Sequence, residues 1–253
     1  EVFDRWGLTS TVIGRATEDR DARVSDGGRL AGNLPVTLLT DAPQYRLTGV
    51  MPEGLAELQR YDLGALPLPA ESADEVLLRL LASPNIASKE WVYRQYDHQV
   101  QTNTVVGPGA DAAVLRIKGT PKGIALATDG NGRYCYLDPY AGGMIAVAEA
   151  CRNVSCVGAE PVALTDCLNF GNPERAEIYY QLEECVKGME LASEVMGAPV
   201  VSGNVSLYNE TRGESIHPTP VVGALGLLED VTRHVTTGFK AEGDLVVLLG
   251  ADE

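Results

Sequence analysis

Histidine is scarce in this sequence: His98, His217 and His234 are the whole supply among 253 residues. None sits near a serine or cysteine in a nucleophile motif, and no H-x-x-x-H pair offers a zinc site. Each is expected on the surface or internally satisfied; His98, in Tyr96-Asp97-His98-Gln99, is the one kept as a functional candidate. No apolar run approaches the roughly 20 residues of a membrane span, so no membrane partner is expected. The five cysteines, Cys135, Cys151, Cys156, Cys167 and Cys185, are odd in number and contain no C-x-x-C. A disulfide framework and a zinc knuckle are therefore not suggested, and reduced core cysteines are expected. No basic segment followed by an apolar one opens the chain, which points to the cytoplasm. Positive charge is also short: 20 Lys and Arg against 35 Asp and Glu leave a net of −15. Such a surface repels a phosphate backbone, so nucleic acid is not expected as a partner. Any anionic ligand needs bound cations or backbone N–H groups to offset that field.

Apolar residues reach 45%, enough for a sizeable core in one large domain or two smaller ones. The β-rich stretches Thr11–Thr17 (TVIGRAT) and Asn33–Leu39 (NLPVTLL) flank Asp26-Gly27-Gly28, a hairpin-type turn. Residues 41–72 carry Pro43, Pro52, Pro67 and Pro69 and read as an extended connection. Ser72-Ala-Asp-Glu75 forms a capping box ahead of a helix that stops near Ser83-Pro84. Beyond residue 101, strands are expected over 111–118, 123–128, 161–168, 199–202 and 220–228. Helices are expected over 141–154 and from Asn172-Pro173-Glu174 to Gly197. The order ββαβαββ predicts a mixed α/β (α+β) fold, a mixed β-sheet with helices packed on one face. Residue 1 is Glu, and Leu245–Gly250 reads as a strand cut from its domain, so a piece of something longer is expected.

Four stretches carry chemistry. In Ser202-Gly203-Asn204-Val205-Ser206 a short strand runs into a glycine, an amide and a hydroxyl. Gly203 admits close approach of a ligand, Asn204 offers an oxygen to a hard cation such as Mg²⁺, and Ser206 can bond a phosphate or a substrate hydroxyl. Alternation puts Asn204 and Ser206 on the same side. An ordinary polar strand-to-loop junction explains the same pattern. Asp166 lies in the apolar strand Pro161–Leu168, where a carboxylate is expensive unless paired or metal-bound; a strand-end bond to a lysine or backbone N–H is the plainer alternative. Asp129, Asn131 and Asp138 could help hold a cation near a helix start, or Gly130-Asn131-Gly132 could be a type I′ hairpin. Gly107-Pro108-Gly109-Ala110-Asp111 lacks the Lys and Ser/Thr of a P-loop and precedes a strand; a complete G-x-G-x-x-G is also missing.

Taken together, Ser83–Thr102 (SPNIASKEWVYRQYDHQVQT), Tyr136–Gly143 (YLDPYAGG), Leu164–Glu174 (LTDCLNFGNPE) and Ser202–Asn209 (SGNVSLYN) resemble the central part of the synthetase subunit of phosphoribosylformylglycinamidine synthases. The resemblance covers nearly the whole chain. It implies that residues 1–50 close the C-terminal-type domain of a first half and that 51–100 connect two halves. It implies further that 101–228 form the N-terminal-type ATP/Mg²⁺-binding domain of the second half, and that 229–253 open a final C-terminal-type domain. Both C-terminal-type pieces would then be incomplete.

By the same resemblance, Asp166 and Gly203 contact ATP, Asn204 binds Mg²⁺ and Ser206 contacts formylglycinamide ribonucleotide. The family's His-Asn-His-Pro stretch is not in this sequence, so no catalytic residue is assigned. The implied activity is that of an ATP-dependent ligase of purine biosynthesis, which converts an amide to an amidine. ATP activates the amide oxygen and ammonia arrives from a glutaminase subunit or domain; a small accessory subunit is a further implied partner. The alternatives are a nucleotide-binding half without turnover, or a related ATP-using enzyme such as an aminoimidazole ribonucleotide synthetase.

Overall fold

A computed structural model describes residues 1–41 and 44–250; Pro43 lies outside the described residues. The chain divides into two compact units, Glu1–Arg46 and Leu47–Glu253.

In the first unit, β1 (Asp21–Asp26) and β2 (Arg29–Pro35) form an antiparallel hairpin. Its turn needs two left-handed residues, and Gly27 and Gly28 supply them at φ 54° and 79°. The strands are shifted from the expected places. Thr11–Thr17 is exposed and pairs with no strand among the described residues, because β-branched composition makes a strand only where a neighbour completes the ladder. β2 stops at Pro35, and Thr37–Thr40 coil into a helical turn instead of completing a strand to Leu39.

The second unit opens with an irregular stretch, broken by helical turns at Leu55–Leu58 and Leu63–Ala65. The capping box then forms as expected. The Ser72 hydroxyl accepts the Glu75 N–H at 3.3 Å, the Glu75 carboxylate accepts the Ser72 N–H at 3.0 Å, and α1 (Ala73–Ala82) follows.

Six strands make the main sheet: β3 (Thr104–Val106), β4 (Ala113–Arg116), β5 (Gly123–Asp129), β6 (Glu160–Asn169), β7 (Val200–Ser206) and, after the small β8–β9 hairpin (Glu210–Thr211, Glu214–Ser215), β10 (Thr219–Leu228). Their spatial order is β3-β4-β5-β10-β6-β7, antiparallel except for the parallel β6–β7 pair. A parallel pair needs a crossover, and the long helix α4 (Ala176–Met196) lies between β6 and β7 in the chain. Two helices precede it between β5 and β6, α2 (Gly132–Leu137) and α3 (Pro139–Cys156). The fold is thus mixed α/β, with α3 against β5, β6 and β10 and α4 packed on α3. β10 alternates strictly: Val222, Ala224, Gly226 and Leu228 are buried, and the residues between them are half-buried. The core joins these positions to Val114, Ala125, Val147, Val154, Leu164, Phe170 and Cys185. Three cysteines, Cys135, Cys151 and Cys185, are buried as expected; Cys167 is half-buried and Cys156 is exposed.

Four local expectations are corrected. No hairpin forms at Gly130–Gly132, because the Asn131 side-chain Oδ1 accepts the Arg133 and Tyr134 N–H groups at 3.1 and 3.4 Å and starts α2. Asn172-Pro173-Glu174 is a turn, closed by the Glu174 N–H on the Asn172 side chain at 2.9 Å, and α4 begins only at Ala176. The strand expected to end at Ser202 runs on through Ser206, since β6 pairs with it as far as Asn169. Leu245–Gly250 pairs with no strand among the described residues, and Leu245–Leu249 are exposed.

The α3–α4 contact depends on residues without side chains. A Cβ at Gly188 would lie 2.0 Å from the Tyr140 carbonyl oxygen, and one at Gly143 would lie 2.4 Å from that of Cys185. Gly to Ala inside a helix ordinarily stabilises by about 1 kcal/mol. At Gly188 the sign reverses: Gly188→Ala is expected to lose at least about 2 kcal/mol to overpacking, a fall in Tm of roughly 4–8 °C. Thermal denaturation followed by circular dichroism measures it, and an unchanged or raised Tm would show that the helices do not approach this closely.

Candidate ligand-binding site on strands β6 and β7

The register of the parallel β6–β7 ladder decides which candidate residues meet. Asp166 stands opposite Gly203 on one side and Val222 on the other. Val222 is buried under the helices, so Asp166 and Gly203 belong to the helix-covered face. A Cβ on Gly203 would lie 2.3 Å from the Asp166 Oδ1, so only glycine lets the carboxylate lie across the neighbouring strand.

Cys167 pairs with Asn204 and Asn169 with Ser206, one and three residues further along. Asn204 and Ser206 therefore project from the opposite, open face, together with Ser202. The Ser202 hydroxyl bonds the Thr165 hydroxyl there at 2.8 Å. The expectation that Asn204 and Ser206 share a side holds. The Asp166 and Asn204 side chains leave the sheet in opposite directions.

Asp166 is half-buried and makes no hydrogen bond or ion pair among the described residues. Burial alone pushes its carboxyl above the ordinary aspartate range. The bond to a lysine or backbone N–H that is the plainer expectation does not form among the described residues. On the open face, Asn209 fixes Ser206: its Nδ2 donates to the Ser206 carbonyl at 2.8 Å and to its hydroxyl at 3.1 Å. The same amide donates to the Phe170 carbonyl at 3.0 Å, tying the ends of β6 and β7 together. Beside this polar row lies a largely apolar trough of about 360 Å³, bordered by Leu126, Thr128, Thr165, Ser202 and Leu225.

Asn204 and Ser206 offer hard oxygens of the type Mg²⁺ accepts, and that ion normally takes one or two protein oxygens and completes its shell with phosphate and water. No group of three Asp, Glu, His or Cys side chains converges on a metal position among the described residues. The cation reading of Asp129, Asn131 and Asp138 is not supported: Asn131 caps α2, and the Asp138 carboxylate accepts the Ala141 N–H at 3.0 Å to cap α3. His98 is exposed; its Nδ1 lies 3.4 Å from the Tyr96 carbonyl and its ring packs on Gly107.

A second polar cluster closes the loop after β6 and escaped the sequence. The Glu210 carboxylate accepts the Ser215 hydroxyl at 2.9 Å and the Asn172 N–H at 3.3 Å, with the Arg175 guanidinium 3.6 Å away. The Ser215 hydroxyl, then the Asn172 N–H and Arg175, hold the Glu210 carboxyl below its usual range. Asn172 and Arg175 lie 35 to 43 positions from Glu210 and Ser215 with no spacing rule to link the two pairs; the β8–β9 hairpin brings them together.

Comparison with known proteins follows the same stretch of chain. Residues 109–228 match the family model of AIR synthase related proteins, N-terminal domain. The phosphoribosylformylglycinamidine synthase subunit PurL of Moorella thermoacetica is 56% identical over 97% of this chain, which spans 34% of that relative. The structure of T. maritima PurL complexed with ATP is similar at 34% identity and a TM-score of 0.61, covering 87% of this chain and 33% of the other. That of T. maritima PurL complexed with FGAR also gives 34% identity and a TM-score of 0.61, covering 87% of this chain and 32% of the other. The chain thus spans about a third of the length of the relatives it matches.

The unpaired Asp166 carboxylate predicts a pH signature. Its folded-state pKa is raised, so the folded form holds this proton more tightly than the unfolded chain, and stability drops as pH rises through that window. Asp166→Asn is expected to melt above the parent at pH 7, with the gap closing as pH falls below the ordinary aspartate value of about 3.9. Melting curves from pH 3 to 8 test this; a gap independent of pH would contradict the unpaired carboxylate.

Proposed function

We propose that this chain supplies one wall of the nucleotide site of an ATP-dependent, amidine-forming ligase of purine biosynthesis; the match of residues 109–228 to the AIR synthase related N-terminal domain model and the similarity of the chain to a third of PurL support this reading. The substrate is formylglycinamide ribonucleotide, with ammonia delivered from a glutaminase subunit or domain and a small accessory subunit as a further partner. The domain plan is the one the resemblance implies, with 101–228 as the nucleotide-binding unit between incomplete C-terminal-type pieces.

The observation that carries this reading is the β6–β7 register. It supports two roles on two faces of one ladder. Asp166 and the bare backbone of Gly203 form an oxygen-lined edge open to a nucleotide hydroxyl or N–H donor. Asn204 would hold Mg²⁺ through its amide oxygen, and Ser206, braced by Asn209, would orient the ribonucleotide substrate. The ion, when bound, offsets phosphate charge that a protein of net charge −15 would otherwise repel. The apolar trough beside the row keeps water from one flank of the reacting groups.

Ligand linkage provides the test. If ATP with Mg²⁺ binds the folded chain alone, ligand at 100 times Kd stabilises by about 2.7 kcal/mol, roughly 5–10 °C in Tm for a unit of this size. Asn204→Ala is expected to abolish the Mg²⁺-dependent part of the shift, and Asp166→Ala the part seen with nucleotide alone. A full shift surviving in the double variant would contradict both roles. In the PurL-length protein the double variant should lose amidine formation, whereas the 253-residue chain by itself is expected to show none.

A further inference from the structure

The start of α4 borders a second recess, of about 420 Å³, which shares no residue with the β6–β7 site. Its floor contains Gln181, only 7% exposed. The Gln181 amide has no hydrogen-bond partner among the described residues. It is not sealed in either, since Asn103 Oδ1 is the one fully enclosed side-chain polar atom left unpaired among them. The amide therefore opens into the recess with donor and acceptor both free, an arrangement that lowers stability unless a ligand fills it.

A flat aromatic wall stands in the same recess. Tyr136 and His217 stack at 4.6 Å between centroids and 16° between planes. Charge decides among planar ligands. Glu53, Glu177 and Glu214 line the space, while its one guanidinium, Arg175, is already engaged by Glu210 at 3.6 Å, Glu177 at 3.8 Å and the Ser215 hydroxyl at 3.2 Å. A phosphate would meet surplus negative charge; a neutral group rich in N–H donors would not.

We propose that this recess binds an adenine base or nucleoside lacking phosphate, with the Gln181 amide on the amino edge of the base and the Tyr136–His217 stack against its face. A glutamine amide pairs with adenine in bidentate fashion through complementary donor and acceptor. Stacking on an aromatic wall supplies the non-directional part of the affinity. A recess of this volume lies in the range that takes small ligands.

Titration of the full 253-residue chain with adenosine, AMP and ATP–Mg²⁺, followed by calorimetry, tests it. Adenosine should bind more tightly than AMP, and Glu214→Gln should narrow that difference. Gln181→Leu removes the unpaired amide without removing bulk, so the variant should fold with an equal or higher Tm, yet bind adenosine roughly tenfold or more weakly. Gln181→Leu should keep the Mg²⁺-dependent Tm shift with ATP while losing adenosine affinity, which separates this recess from the β6–β7 site. No adenosine binding at about 1 mM, tighter binding of AMP than of adenosine, or an unchanged affinity in Gln181→Leu would each overturn the proposal.

Discussion

The parallel pairing of β6 with β7 is the constraint on which the site depends. One register fixes three consequences together. Asp166 comes to lie across Gly203, where the absence of a Cβ is a steric requirement. Asn204 and Ser206 are sent to the other face, beside Ser202 and the apolar trough. The two strand ends meet at Phe170 and Asn209, whose amide bonds secure Ser206. A slip of one residue would exchange the faces of all these groups at once. The α4 crossover makes such a slip costly, because α4 is itself locked to α3 through Gly143 and Gly188.

Charge gives the arrangement its chemical sense. Strands β6 and β7 carry no lysine or arginine with which to hold phosphate. They offer amide and hydroxyl oxygens on one side and a carboxylate on the other. Oxygen donors of this kind attract a divalent cation or accept N–H and O–H groups, and leave phosphate charge to the cation. Asp166 fits this economy: a half-buried carboxylate without a partner lowers stability, and such sacrifices concentrate where a ligand restores the balance.

Much of the fold was legible because the strongest local signals were also the tertiary ones. The Ser72 capping box, the glycine stop at Gly197 and the strand over 220–228 all appear where chemistry predicts them. The errors share one cause. Thr11–Thr17 has strand composition but no neighbour, and Asn172-Pro173-Glu174 has a helix-start pattern captured by a tighter Asx turn. Asn131 has hairpin neighbours but caps a helix, its side-chain oxygen taken by the Arg133 and Tyr134 N–H groups. Local pattern states what a segment can do, and long-range contact selects among the options. For the candidate site, the sequence pointed to Asp166, Gly203, Asn204 and Ser206 but not to the division of faces between them. Strand length set it: β7 continues to Ser206, and period-two alternation then separates Asn204 from Asp166. The Arg175–Glu210–Ser215 cluster and Gln181 left no local trace at all.

Asp166 and Gln181 are unpaired for different electrostatic reasons, and the difference distinguishes their ligands. A carboxylate without a partner accepts only, so its complement must donate or carry positive charge. An amide without a partner both donates and accepts, so its complement must be a neutral edge with both functions. Around Gln181 the carboxylates Glu53, Glu177 and Glu214 reinforce that neutrality by excluding anions, whereas the open face beside Asn204 has no such fence. Two unsatisfied polar groups in one unit therefore need not serve one ligand. Their bonding capacities, and the charges standing next to them, assign them to different ones.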